Sequence, residues 1–314
     1  MNRILLISTY FGSWPKWFPA FIVSCARNQD VDWLFLTDCQ VAGLDFPNIH
    51  FISMTMSEFN SISSRALGIR VQKHPYSQLD LRPAYGEILS EFSAGYDFWG
   101  HVDVDVIWGR IRHFVTDPTL EECDIFSSRK DCLAGHFTLY RNSPVVNAIY
   151  RLHPEWKCIM GEESYHHFDE KGMGIFLKYC FPKDLRGKIR VQWSSALVLD
   201  WWDLFCRRSG WEWRNGELYD RSGREHMYIH FMTWKPHMQY VDFKAGEQPE
   251  RFRINHRGVW SKPTGFPDRL RLLFSFRFLA ESYLRYAAWY WVDGNRWSRF
   301  LRPRQHAKRD QPKV

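Results

Sequence analysis

Two aspartates, Asp103 and Asp105, stand in the stretch from Tyr96 to Gly109, YDFWGHVDVDVIWG, whose Val, Ile and aromatic content predicts a β-strand. In an extended chain, residues two apart point to the same side. Two carboxylates held side by side repel each other, and burying them unpaired is costly. Taken alone, D-x-D also fits the polar face of a surface strand. The apolar flanks favour a central strand covered on both faces, and ligands in such sheets collect beyond the carboxyl ends of the strands. A divalent cation, Mg2+ or Mn2+, would turn the repulsion into coordination, since it takes oxygen donors and commonly brings a substrate diphosphate as a further ligand.

The elements that must position this pair are readable on either side of it. Residues 3–9 (RILLIST) predict a buried strand, FPAFIVSCARN a helix, WLFLTD a second strand ending in Asp38, and IHFISM (49–54) a third. Strand, loop, helix, strand at this spacing opens a parallel α/β sheet. Residues 57–93 read as mainly helical with interruptions at Pro75 and Pro83, and DIFSS (124–128) and HFTLYRN (136–142) as further strands. Beyond Arg151 the pattern loosens: residues 160–180 are polar and acidic, 193–213 are dense in tryptophan, and MYIHFMTW (227–234) predicts a late strand. A Pro/Gly-containing linker at 258–267 precedes a tail with helical apolar spacing, and there is no internal repeat.

Composition excludes several classes. The 314 residues are 45% hydrophobic and 17% aromatic, too apolar for a disordered chain. No run approaches about 18 uninterrupted apolar residues, which argues against a spanning helix. The start, MNRILLISTYFG, lacks the length and cleavage site of a secretory signal. Seven dispersed cysteines with no C-x-x-C pair point to reduced thiols in a cytoplasmic protein, against a disulfide framework or structural zinc. The formal charge of +7 is uneven: residues 251–314 carry 15 Lys+Arg against 4 Asp+Glu, while the preceding 250 residues have a net charge of −4. Such a tail suits an anionic surface.

The order of these elements, with DLRPAYGEI, GYDFWGHVDVDVIWG and GHFTLYRN over roughly residues 3–240, resembles the GT-A class of nucleotide-sugar glycosyltransferases. More narrowly it resembles a bacterial family of GT-A-like proteins associated with surface-polysaccharide genes. The resemblance implies an α/β, Rossmann-like, mixed and mainly parallel sheet flanked by helices. It implies a catalytic domain over 1–257, with a nucleotide-binding half at about 1–110 and an acceptor half at about 111–257, followed by a basic, aromatic helical extension over 258–314. Asp103 and Asp105 would bind the metal and, through it, the nucleotide diphosphate. HFMTWK offers His230 as third ligand and Lys235 as the phosphate grip, although the glycine of the better-known H-x-x-G-x-K-P version is missing. Thr9, Tyr10 and Phe11 sit where the class holds its nucleobase, and Asp38 would meet the ribose or base edge. Asp80 and Arg82 would face the sugar-phosphate, or else form an ordinary ion pair. His136 would contact donor sugar or acceptor, or serve as a core histidine.

Displacement at an anomeric carbon needs the leaving diphosphate stabilised, a task for the metal with Lys235 and Arg82. An inverting reaction also needs a carboxylate base. Asp169 and Glu170 are the pair favoured by the resemblance, with Glu162 and Glu163 as the other candidates. His166 and His167 lack metal-ligand spacing. Tryptophans 193, 201, 202, 211 and 213 read as core or as acceptor-stacking rings. The expected activity is metal-dependent transfer of a sugar from a nucleotide-sugar donor to a glycan or lipid-linked acceptor. A catalytically silent sugar-nucleotide-binding protein and a metal-dependent phosphohydrolase are the alternatives. The tail reads as an interfacial helix, which would place the enzyme on the inner membrane face, or as a helix packed on the domain. No nucleic-acid-binding module accompanies it.

Overall fold

The computed structural model describes residues 1–130, 132–183, 187–194, 210–231, 234–236 and 238–262. Its first element, β1 (Ile4–Tyr10), alternates two apolar faces: Leu5 and Ile7 enter one core, Ile4 and Leu6 the other. Helix α1 (Phe18–Ala26) follows, with a proline in its first turn and Phe18, Phe21, Ile22 and Cys25 packed on the second core. Next come β2 (Asp32–Thr37), β3 (Ile49–Ser53) and α2 (Met56–Leu67). Thr55 and Glu58 close a capping box at the start of α2, and Gly68 ends it in the left-handed region at φ 67°.

Seven strands make the main sheet. Besides the first three they are β4 (Phe98–Val102), β6 (Ile125–Ser127), β7 (Phe137–Arg141) and β8 (Val191–Trp193), while β5 (Val106–Trp108) departs to pair elsewhere. The order is β3-β2-β1-β4-β7-β6-β8. All neighbours are parallel except at β7, which runs against both β4 and β6. The mixed, mainly parallel sheet flanked by helices that the sequence leads one to expect is the architecture observed. The central strand β4 sends Trp99 to one core and Phe98 and Val102 to the other. Between them Gly100 lets β7 close in, since a Cβ there would stand 2.6 Å from the Thr138 carbonyl oxygen.

The second sheet contains β9 (Trp211–Arg214), β10 (Glu217–Tyr219), β11 (Glu225–His226), β13 (Tyr240–Val241), β14 (Arg251–Asn255) and β15 (Gly258–Trp260), ordered β11-β10-β9-β14-β15-β13. Trp213 is fully buried, stacks on Phe252 and donates from Nε1 to the Trp108 carbonyl, so this tryptophan is core, and Trp211 is buried as well. Trp201 and Trp202 lie outside the described residues. Because β15 is paired on both sides, the folded body continues past residue 257 to Lys262. The basic extension expected beyond that point lies outside the described residues. No described helix is long and apolar enough to cross a membrane.

Candidate active site

The stretch expected as one strand is two. β4 ends at Val102, the chain turns through Asp103–Asp105, and β5 pairs antiparallel with β12 (Tyr228–His230). This break is the physical answer to the crowded carboxylates, because the pair occupies a turn at the sheet's carboxyl edge. The Asp103 amide donates to the His136 carbonyl, and Trp17, at the start of α1, donates to the Val104 carbonyl between the two aspartates. The β5–β12 register sets Val106 opposite His230, and the Phe231 amide donates to the Asp105 carbonyl. A histidine 125 positions away is thereby brought to the aspartates.

Asp103, Asp105 and His230 each offer a ligand atom, and these atoms lie within 4.8 Å of one another. His230 Nε2 is 3.2 Å and Lys235 Nζ 2.5 Å from Asp105 Oδ2. Asp105 is 2% exposed; burial alone would raise its pKa, but Lys235 and His230 outweigh that and hold it well below the usual carboxylate range. Partial burial works against the ammonium of Lys235, and Asp105 and Asp103 reverse the balance and raise its pKa. His230 stacks on His136, ring centroids 4.2 Å apart. His136 is buried, hydrogen-bonded through Nε2 to the Tyr228 hydroxyl, and held neutral by that burial and by its cationic neighbours. It supports His230 from within the core, in keeping with the core-histidine alternative for this position.

Arg82 ties the aspartate turn to the other acidic candidates. One nitrogen of its guanidinium holds Asp103; the other donates to the Gly135 carbonyl at 2.6 Å and to Asp169 Oδ2 at 3.1 Å. Burial opposes its charge, yet Asp103 and Asp169 more than compensate. Asp169 also accepts from the Tyr165 hydroxyl at 3.0 Å. Burial, with the nearby carboxylates of Glu170, Asp80 and Asp103, pushes Asp169 upward against the pull of Arg82. Glu170 is half-buried and accepts from the Gly135 amide at 3.3 Å. A Cβ on Gly135 would come within 2.8 Å of Glu170 and 3.0 Å of Asp169, so a larger residue here would displace these two carboxylates.

Asp80 is buried and fully engaged. It accepts from Lys73 Nζ at 3.1 Å and from the amides of His166 and Phe168 at 2.9 Å each. Of the two readings for Asp80, the ion pair is the one these contacts fit, and the residue also anchors the loop before Asp169. Lys73 also donates to the carbonyls of Ile159 and Ser164. That loop passes through His167 at φ +57° into a π-helical turn, Phe168–Gly172, and both features concentrate at functional sites.

At the ends of β1 and β2 the expected nucleobase residues divide. Thr9 is buried in hydrogen bonds with Gln78 and Tyr85, and Phe11 is core against Phe59. Tyr10 is partly exposed and stacks on Trp14, and exposed Asp38 accepts from the Gly12 amide at 2.6 Å. Of the four, only Tyr10 and Asp38 keep exposed surface at these strand ends. Tyr76 and Tyr165 escaped the sequence reading. Tyr76 is 62% exposed, its ring 4.9 Å from that of Tyr165. Its phenol is raised first by the cover on its ring and further by Asp103, Asp169 and Glu170, with Lys235 pulling the other way. The spacing of Tyr165 four residues before Asp169 was the available signal.

The profile of a family of unknown function, DUF6625, matches residues 6–263. The chain belongs to this family. No curated protein matches the sequence of this DUF6625 member. Among solved structures it is similar to the galactosyltransferase LgtC in complex with donor and acceptor sugar analogues, at 12% identity over 61% of this chain and 72% of that one, TM-score 0.33. It is also similar to the apo form of the glycosyltransferase GlyE of Streptococcus pneumoniae TIGR4 (12%, covering 64% and 46%, TM-score 0.33) and to mouse xyloside xylosyltransferase 1 (9%, covering 62% and 78%, TM-score 0.28).

Proposed function

We propose that the chain is a metal-dependent, GT-A-like glycosyltransferase that moves a sugar from a nucleotide-sugar donor to a glycan acceptor. The observation that carries this reading is the convergence of Asp103, Asp105 and His230 at the carboxyl end of the central strand. Two carboxylates and an imidazole suit Mn2+ or Mg2+. A divalent cation would turn the repulsion between Asp103 and Asp105 into coordination. Among the described residues this is the one cluster of three or more His, Cys, Asp or Glu with converging ligand atoms, which disfavours a two-metal phosphohydrolase.

When bound, the metal supplies Lewis-acid stabilisation of the departing diphosphate. Lys235, paired with Asp105, would be the cation to hold the same phosphates. Arg82 fixes Asp103 and Asp169 in one frame. Asp169 has both oxygens committed, so in an inverting reaction Glu170, held at the Gly135 amide, would be the base. Tyr10 and Asp38 would receive the nucleoside.

The test is calorimetry with a panel of UDP-, GDP- and TDP-sugars, with and without Mn2+, on the wild type and on Asp105→Ala. Metal-dependent binding that Asp105→Ala removes is expected. Absence of any metal-dependent nucleotide-sugar binding in the wild type would overturn the reading.

A further inference from the structure

Along α2 runs a second feature that transfer chemistry alone does not require. A cavity of about 470 Å³ lies between the outer face of α2 and the segment leading to Tyr76, with Glu163 on its far side. The size falls within the range of small-ligand sites, about 300–1,000 Å³. Its lining is polar: Ser57 and Gln72 face it with Arg70 and Glu163, while the hydroxyls of Ser61 and Ser64 donate to the Ser57 and Asn60 carbonyls and offer the cavity only acceptor oxygens. Arg70 and Glu163 offset each other in charge. The ammonium of Lys73, which also borders the cavity, is spent internally on Asp80 and two carbonyls. Such a wall suits a neutral polyhydroxyl chain better than an anion or an apolar group.

Two of the segments that line this cavity, 70–74 and 163, continue into exposed Tyr76 and partly buried Tyr165, whose rings meet. Tyr165 in turn is bonded to Asp169, and its ring lies 4.3 Å from that of His167. Asp80 clamps the backbone at His166 and Phe168, so the wall is rigid where it meets the acidic cluster. An aromatic face exposed at the end of a polar groove offers what the C–H-rich face of a pyranose ring packs against.

We propose that segments 70–77 and 162–167 form an oligosaccharide-binding track, in which Tyr76 is the platform for the ring nearest the reaction centre and the groove along α2 holds the preceding sugars. The track would take the acceptor; that assignment rests on the glycosyl-transfer reading, whereas binding of the oligosaccharide does not. The probes are gluco-, galacto- and manno-oligosaccharides of two to four sugars, read on an array and by saturation-transfer NMR. UDP binding in the presence of Mn2+ is measured in parallel. Tyr76→Ala and the double variant Arg70→Ala/Gln72→Ala are expected to weaken oligosaccharide binding at least tenfold, with Tyr76→Phe close to wild type and UDP binding unchanged in all. Wild-type protein that binds none of these sugars, or variants that bind them as well as wild type, would overturn the track. Oligosaccharide binding that follows this pattern in a protein indifferent to nucleotides and Mn2+ would keep the track and sink the transferase reading. Thermal melting of each variant separates lost contacts from lost fold.

Discussion

Arg82 joins Asp103 to Asp169 across 87 positions between its own and the farther partner, and it is itself buried with a 2.6 Å bond to the Gly135 carbonyl. Removing it strands two carboxylates in a poorly hydrated site. Breaking a buried ion pair from one side costs about 3–5 kcal/mol, and Arg82→Ala should lose stability on that scale in urea unfolding. Much of the loss is the penalty on the orphaned Asp169. Arg82→Ala/Asp169→Asn should therefore be more stable than Arg82→Ala alone. A double variant weaker than the single one would mean that Asp169 has another strong partner.

The Lys73–Asp80 pair makes a separable prediction about the loop that carries Asp169. Asp80 accepts the amides of His166 and Phe168, so Asp80→Ala should expose both to solvent. Hydrogen exchange at these two amides is expected to accelerate at least a hundredfold, while exchange in β1 and β4 changes little. Uniform acceleration across the chain would instead indicate global destabilisation without a local anchoring role.

The acid limb of stability has a named contributor at the N-terminus. The Asn2 amide and side chain and Arg112 hold Asp117 down to a pKa of about 2. A carboxylate whose pKa is lower in the folded state stabilises above its unfolded value, about 3.9, and loses that contribution as pH falls through the folded value. The wild type should thus lose stability between about pH 4 and pH 2 more steeply than Asp117→Asn, as read from urea midpoints across that window. Equal slopes would show that other carboxylates dominate.

These contacts also mark what was legible in the residues themselves. β1, α1, β2 and β3 follow from local periodicity, and they sit where the apolar pattern puts them. Asp103 and Asp105 stand out by type against apolar flanks, and the late histidine is noticeable once they are. The break between β4 and β5 was not legible, because Val, Ile and aromatic residues flank the aspartates on both sides and the long-range pairing with β12 sets where the second strand begins. The loop-anchoring role of Asp80 was not legible for a related reason. Its partners are two backbone amides 86 and 88 positions away, and backbone amides leave no trace in residue type. Thr9 and Phe11 occupy the expected loop end but face inward, a matter of side-chain direction that one-residue register decides.

Lys235 yields a prediction with opposite signs for two ligands. Its ammonium lies 2.5 Å from Asp105 Oδ2 and is partly exposed, so in the metal-free protein it neutralises a carboxylate that a cation would use. Replacing it by methionine keeps most of the apolar stem and removes the competing charge. The affinity for Mn2+ alone should then rise several-fold, because Asp105 and Asp103 keep their negative charge without the ammonium beside them. The affinity for UDP at saturating Mn2+ should fall by about tenfold or more, in line with about 1.5–3 kcal/mol for a hydrogen bond to a charged group. Titration of Mn2+ by electron paramagnetic resonance and of UDP by calorimetry reads the two effects on the same protein. If both affinities fall together, Lys235 is a structural prop for Asp105 and does not exchange partners between carboxylate and phosphate.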